Sequence, residues 1–171
     1  SIVIHPPART DFFTPDPEIP REELWLCVGA LEPYKGFDLA IDAAQLAGKH
    51  LKIVGSGSHE AALRRRAGPN VEFRGRIPDE QLRDLYRRAS VLLFPQIEDF
   101  GIVAVEAQAC GLPVIAAAAG GALDSVIHDQ TGALIADPTP NALSAAAARI
   151  GTSVMHDPAP WAQRCRANAE R

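Results

Sequence analysis

Glu98 and Glu106 stand with seven residues between them in the stretch EDFGIVAVEAQACGLPVI, residues 98–115. Each carboxylate can accept hydrogen bonds from two hydroxyls at once, so the pair suits a polyhydroxylated ligand. Between them Phe100-Gly101 opens a segment of Ile102, Val103, Ala104 and Val105, followed by Ala107 and Ala109. A helix apolar on most sides is expected to be buried. An ionised Glu106 inside it would cost on the order of several kcal/mol unless hydroxyls, an arginine or water hydrogen-bond it. Glu98 is favourably placed before that helix in any case, near the positive end of its dipole. The backbone N–H groups of Phe100, Gly101 and Ile102 form a ready anion or hydroxyl site. Gly101 allows a ligand to approach the backbone closely.

Lys35, in the turn Pro33-Tyr34-Lys35-Gly36, supplies a compact positive charge, although by itself it reads as a solvated loop lysine. Gly55-Ser56-Gly57 follows an apolar run and precedes a helical one, as nucleotide-binding glycines do. The third glycine of a dinucleotide fingerprint would fall at position 60, which is Glu60, so that reading is weak. Asp79 is accounted for as a helix-start acid, and it could also accept protons from guanine's Watson–Crick edge. Gly120-Gly121 before a helix is expected to permit close backbone packing. The five histidines never take metal-ligand spacing, so no metal site is expected.

Short apolar runs at 24–30, 51–55, 71–75, 91–95 and 113–117, with a weaker sixth at 132–136, fit strands buried on both faces. Helical segments lie between or after them at 37–47, 59–67, 79–89, 101–109, 122–128 and 141–150. This alternation predicts an α/β fold: a doubly wound, Rossmann-like parallel sheet of about six strands. Right-handed crossovers gather the loops at the strands' carboxyl edge, where ligands bind. Pro6, Pro7, Pro15, Pro17 and Pro20 keep residues 1–20 extended or looped. Asp157–Trp161 breaks the pattern, and a short helix is expected over 162–171.

The 171 residues suffice for one domain burying roughly 70% of its unfolded surface. A net charge of −4 argues against an extended nucleic-acid groove. Arg64, Arg65, Arg66, Arg74, Arg76, Arg83, Arg87 and Arg88 concentrate mid-chain. They read either as solvated helix faces or as a field attracting a sugar nucleotide or an anionic membrane. Three widely spaced cysteines suggest reduced core thiols in a cytosolic protein. Neither a membrane-spanning run nor a signal leader is expected.

The 98–115 stretch resembles the signature of the retaining, nucleotide-sugar-dependent glycosyltransferases of family four, in the C-terminal half of their GT-B fold. GALEPYKGFD (29–38), IVGSG (53–57), VEFRGRI (71–77) and GGALDSV (120–126) resemble the family in the same order, from about residue 2 to residue 150. The resemblance implies that residues 1–20 are a linker remnant, that 21–171 bind the donor, and that an N-terminal acceptor half is absent. It implies that Glu98 contacts the donor sugar, Lys35 the pyrophosphate, and Glu106 the ribose. Phe100, Gly101, Ile102, Gly55 and Gly57 then contribute to the donor site, with Arg76 and Ile77 near the base. It also implies a nucleoside-diphosphate sugar as substrate, no metal, and a retaining hexosyl transfer needing the other half. Many relatives carry arginine where Ala30 stands, which would leave Lys35 without a second cation. The family's usual glutamate is shortened to Asp124.

The wording is similar to that of bacterial mannosyltransferases of surface polysaccharides, which favours GDP-mannose over a UDP-sugar. A cytoplasmic location, with peripheral contact at the inner membrane, goes with that reading. Two alternatives are a UDP-sugar 2-epimerase-like half and a dinucleotide-binding regulatory domain. Catalytic carboxylates and histidines in the cleft would mark the first, and preference for NAD the second.

Overall fold

The computed structural model describes residues 7–171. Its strands are β1 Leu24–Val28, β2 His50–Val54, β3 Val71–Gly75, β4 Val91–Phe94, β5 Val114–Ala117 and β6 Gly132–Ile135. They form one parallel sheet in the order β3-β2-β1-β4-β5-β6. The helices are α1 Phe37–Ala47, α2 Glu60–Arg66, α3 Asp79–Arg88, α4 Ile102–Ala109, α5 Ala122–Ser125, α6 Pro140–His156 and α7 Pro158–Ala169. The doubly wound α/β expectation holds.

Strand periodicity divides the core in two. On β1, Trp25 and Cys27 join Ile41 and Ala44 of α1 and Leu143 and Ile150 of α6 on one face. Leu24, Leu26 and Val28 join Leu85 and Tyr86 of α3 and Ala104 and Ala107 of α4 on the other. β1, β4 and β5 are therefore buried throughout. β3 is not, contrary to expectation: it pairs on one side only, and all five of its residues keep some exposure.

Two helix boundaries differ from the pattern. α6 runs on to His156 because Ile150 and Val154 continue its buried stripe beyond Gly151. α5 stops at Ser125, where Val126 turns extended (φ −118°) to bury its side chain. Within Asp157–Trp161 only Asp157 is non-helical. Pro158 opens α7, since a first-turn N–H has no intrahelical partner to lose.

Residues 7–20 form no helix or strand, as their prolines require. They are nonetheless packed. Phe13 is fully buried in the second core cluster. Arg83 donates to the Phe12 carbonyl, Arg87 to Thr14, and Arg166 to the carbonyls of Thr10 and Phe13. Arg83 and Arg87 are thus clamps on the N-terminal segment rather than a solvated face. Arg64, Arg66, Arg74 and Arg88 pair with acids. The beginning of the expected linker, residues 1–6, lies outside the described residues. All three cysteines are buried and unpaired, and burial raises each thiol's pKa, which makes them unreactive.

Candidate functional site

The sheet order reverses between β1 and β4, so the loops leaving these strands diverge and open a crevice at the carboxyl edge. The loop after β1 carries Lys35, and the loop after β4 carries Glu98. Gly36, in the left-handed conformation (φ 73°), brings the two loops together. A Cβ there would lie 3.1 Å from the Pro95 side chain. Lys35 Nζ donates to Glu98 Oε1 at 2.6 Å. Their side chains are only 16% and 26% exposed, so the contact is shielded enough to hold its geometry.

The Glu98 loop is fixed from the other side by the expected glycine pair. Gly121 N donates to the Glu98 carbonyl at 2.7 Å, and a Cβ on Gly120 would come within 2.4 Å of that same oxygen. Gly101, with φ 61°, is the N-cap of α4, and its carbonyl accepts from the N–H groups of Ala104 and Val105. The N–H groups of Ile102 and Val103 precede these donors and sit at the positive end of the helix dipole. Lys35 and residues 97–103 line an open depression of about 460 Å³. A second depression, of about 510 Å³, lies beyond Phe100 and Ile102 against α5 and α7. It contains neither charge of the Lys35–Glu98 pair.

The expectation of a wholly buried α4 is corrected. Ala104, Ala107, Gln108 and Ala109 face the core, but Ile102 is 38% exposed and the preceding Phe100 45%. Phe100 and Ile102 line the depression instead of the core. Glu106 is half-buried, with no hydrogen-bond partner or ion pair among the described residues. Burial raises its carboxyl pKa, Arg9 partly opposes this, and Asp79 adds to it.

Lys35, Glu98, Phe100, Gly101 and Ile102 thus come together, and Glu106 lies one turn further along α4. Gly55, Gly57, Arg76 and Ile77 share the carboxyl edge on the loops after β2 and β3, outside the 460 Å³ depression. The glycines have an internal role there. A Cβ on Gly55 would meet the Gly29 carbonyl oxygen at 1.8 Å, and one on Gly57 the Leu31 oxygen at 2.4 Å. They let two loop backbones lie in contact, and Ser58 and His59 separate them from α2. Arg76 Nε donates to Ser56 Oγ at 3.0 Å, joining the loops after β2 and β3.

Two polar residues were missed. Gln96 is 1% exposed immediately beyond β4; its amide nitrogen donates to Val28 O, while its Oε1 has no partner among the described residues. An amide directly after the fully apolar VLLFP was the available signal. Arg9 gave none, because its bond to Asp79 spans seventy positions.

Residues 9–171 match the family described as glycosyl transferases group 1. The D-inositol 3-phosphate glycosyltransferase of Mycobacteroides abscessus is 37% identical over 154 residues, covering 78% of this chain and 35% of that protein. A GDP-mannose-dependent alpha-(1-6)-phosphatidylinositol monomannoside mannosyltransferase of Mycolicibacterium smegmatis is 34% identical over 158 residues, covering 76% and 41%. The chain therefore spans between a third and a half of these relatives. The crystal structure of the C-terminal domain of LpcC, a glycosyl transferase group 1 family protein of Francisella tularensis, aligns with a TM-score of 0.76. That alignment covers 94% of this chain and 95% of LpcC's domain at 19% identity, a likeness of fold alone. With the family matched over nearly its whole length, this chain belongs to the glycosyl transferases group 1.

Proposed function

We propose that the chain binds a nucleoside-diphosphate sugar and presents the sugar for transfer to a hydroxyl acceptor with retained configuration. The observation that carries this reading is the Lys35–Glu98 pair, 2.6 Å apart at the point where the sheet order reverses. A cation for phosphate and a carboxylate for hydroxyls side by side match the junction between a diphosphate and its sugar. As the sugar leaves, charge develops on the diphosphate, and Lys35 with the N–H groups of Ile102 and Val103 stabilises it. Glu98 accepts hydrogen bonds from the sugar's hydroxyls. Glu106 lies about 6 Å further along α4, four residues at 1.5 Å each, a suitable separation for ribose hydroxyls.

These cationic and backbone groups make a metal unnecessary in this reading. Ala30 adds no second cation, so the helix terminus carries more of the phosphate charge. The acceptor site belongs to an N-terminal half, with residues 1–20 as its link to the donor-binding part. The mannosyltransferase relative supports GDP-mannose ahead of a UDP-sugar. A cytoplasmic enzyme resting peripherally on the inner membrane suits a lipid-linked acceptor. No helix among the described residues is long and apolar enough to cross a membrane.

Calorimetry of the chain with GDP, UDP, ADP and NAD, each with and without EDTA, tests the reading. A nucleoside diphosphate should bind in the presence of chelator. A clear preference for NAD would sink the proposal, and loss of binding in EDTA would sink its metal-free part.

Proton linkage provides a second test. Hydroxyls donating to Glu106 favour its charged form and so pull down a carboxyl pKa that burial has raised. Nucleoside binding should therefore release protons at mildly acidic pH, and affinity should fall as pH drops through the raised pKa. Fold stability follows the other sign. Glu106's contribution is greatest in acid, where the group is neutral. It is lost as pH rises from the ordinary carboxylate pKa through the raised one. Glu106→Gln should abolish the proton release, as read from binding heats in buffers of different ionisation enthalpy. Unchanged release in that variant would remove Glu106 from the nucleoside site.

A further inference from the structure

α5 has four residues, too few to hold a helical turn by its own bonds. Within it Ser125 N donates to the Gly121 carbonyl and Val126 N to that of Ala122. Both of its ends are fastened from outside. At the first, Gly121 N donates to the Glu98 carbonyl at 2.7 Å, and a Cβ on Gly121 would fall 2.7 Å from the Asp99 carbonyl oxygen. At the second, the Ser125 carbonyl accepts from Gln108 Nε2 at 2.7 Å and from Asn168 Nδ2 at 2.8 Å. A carbonyl in the last turn of a helix has no partner within it, and here two side chains take that place.

Gln108 is fully buried on the face of α4 that otherwise presents Ala104 and Ala107. A buried amide is costly unless it is hydrogen-bonded, and this one is bonded through both of its polar atoms. Its Nε2 also donates to the Ala104 carbonyl at 3.3 Å, and its Oε1 accepts from Asn168 Nδ2 at 2.8 Å. An apolar side chain would fill the same space without needing partners. What the amide adds is direction, because a satisfied buried network fixes one arrangement of the elements that share it. Those elements are α4, α5 and α7.

Resting on the donor-site reading above, we infer that Gln108 and Asn168 are positioning residues for Glu98, acting through α5. The path is continuous: the two amides hold the Ser125 carbonyl, α5 spans a single turn, and Gly121 holds the Glu98 carbonyl. Backbone lies against backbone at Gly121, so a shift of α5 reaches the Glu98 loop instead of being absorbed by side chains. From the other side Lys35 holds the Glu98 carboxylate. A misplacement of about 1 Å at a substrate-positioning group can cost on the order of 100-fold in rate, which gives such a support its value.

The test uses the 171-residue chain with Gln108→Met, which keeps the volume and removes the amide. Asn168→Ala, at a partly exposed position, keeps the test open should the first variant unfold. In each variant the Gly121 amide should exchange its hydrogen about tenfold faster, while the Leu92 amide of β4 is unchanged. GDP titration gives the second readout. Glu98 competes with phosphate for Lys35, so a loosened Glu98 should raise GDP affinity by about 1.5- to 5-fold. Adding Glu98→Gln to either variant should then give no further rise. Gly121 exchange that is unchanged, or that rises only in step with Leu92, would overturn the positioning role and leave the donor site standing. A full additional gain from Glu98→Gln would do the same. Failure of the unmodified chain to bind GDP would overturn the donor-site reading and this inference with it.

Discussion

Lys35→Ala should weaken GDP binding by about 10- to 100-fold and leave guanosine binding almost unaffected. A charge-assisted hydrogen bond is worth roughly 1.5–3 kcal/mol, which sets that range. The contact with Glu98 moves the expectation towards its upper end. Without the ammonium group, a carboxylate with only 26% exposure is left beside the incoming phosphates. Glu98→Gln should act in the opposite direction on the same ligand. In the unliganded chain Glu98 competes with phosphate for Lys35, and neutralising it frees the cation. Partly exposed pairs couple by about 0.2–1 kcal/mol, so GDP affinity should rise by about 1.5- to 5-fold. Titrations of both variants and of the double variant would measure the coupling. Equal small losses for guanosine and GDP in Lys35→Ala would return Lys35 to a plain loop lysine.

Gly55→Ala should lower stability by roughly 2–6 kcal/mol, from backbone strain and overpacking together. Gly55 has φ +133°, and an added Cβ would fall 1.8 Å from the Gly29 carbonyl oxygen. That obstacle is backbone in the loop that leads to Lys35, so no side-chain rotation relieves it. A loss of this size is comparable to the whole stability of many domains. Denaturant unfolding without any nucleotide would show it. A variant that unfolds at the same denaturant concentration as the parent, yet no longer binds GDP, would instead make Gly55 a ligand contact.

The sequence by itself determined the elements. VLLFP and PVIAA are uninterrupted apolar runs too short for helices, and Pro78-Asp79-Glu80 marks a helix start, because these signals act through neighbours along the chain. Glu98, Phe100, Gly101 and Ile102 were legible as one site for the same reason: a single loop and helix start carries all of them. Gly120-Gly121 was legible as a close-packing point, though not what it packs against.

Tertiary structure decided the rest. That Lys35 bonds Glu98 depends on β1 lying next to β4, and strand order is not encoded in local periodicity. The exposure of β3 follows from its place at the sheet edge, which its own five residues do not reveal. The need for glycine at 55 comes from the Gly29 carbonyl, a backbone group twenty-six positions away by numbering. Arg83 and Arg87 became clamps, and Arg9 met Asp79, because burying Phe13 draws the N-terminal segment across α3 and α4. Such contacts are fixed by which surfaces the core can bury together, and only the folded chain brings those surfaces into contact.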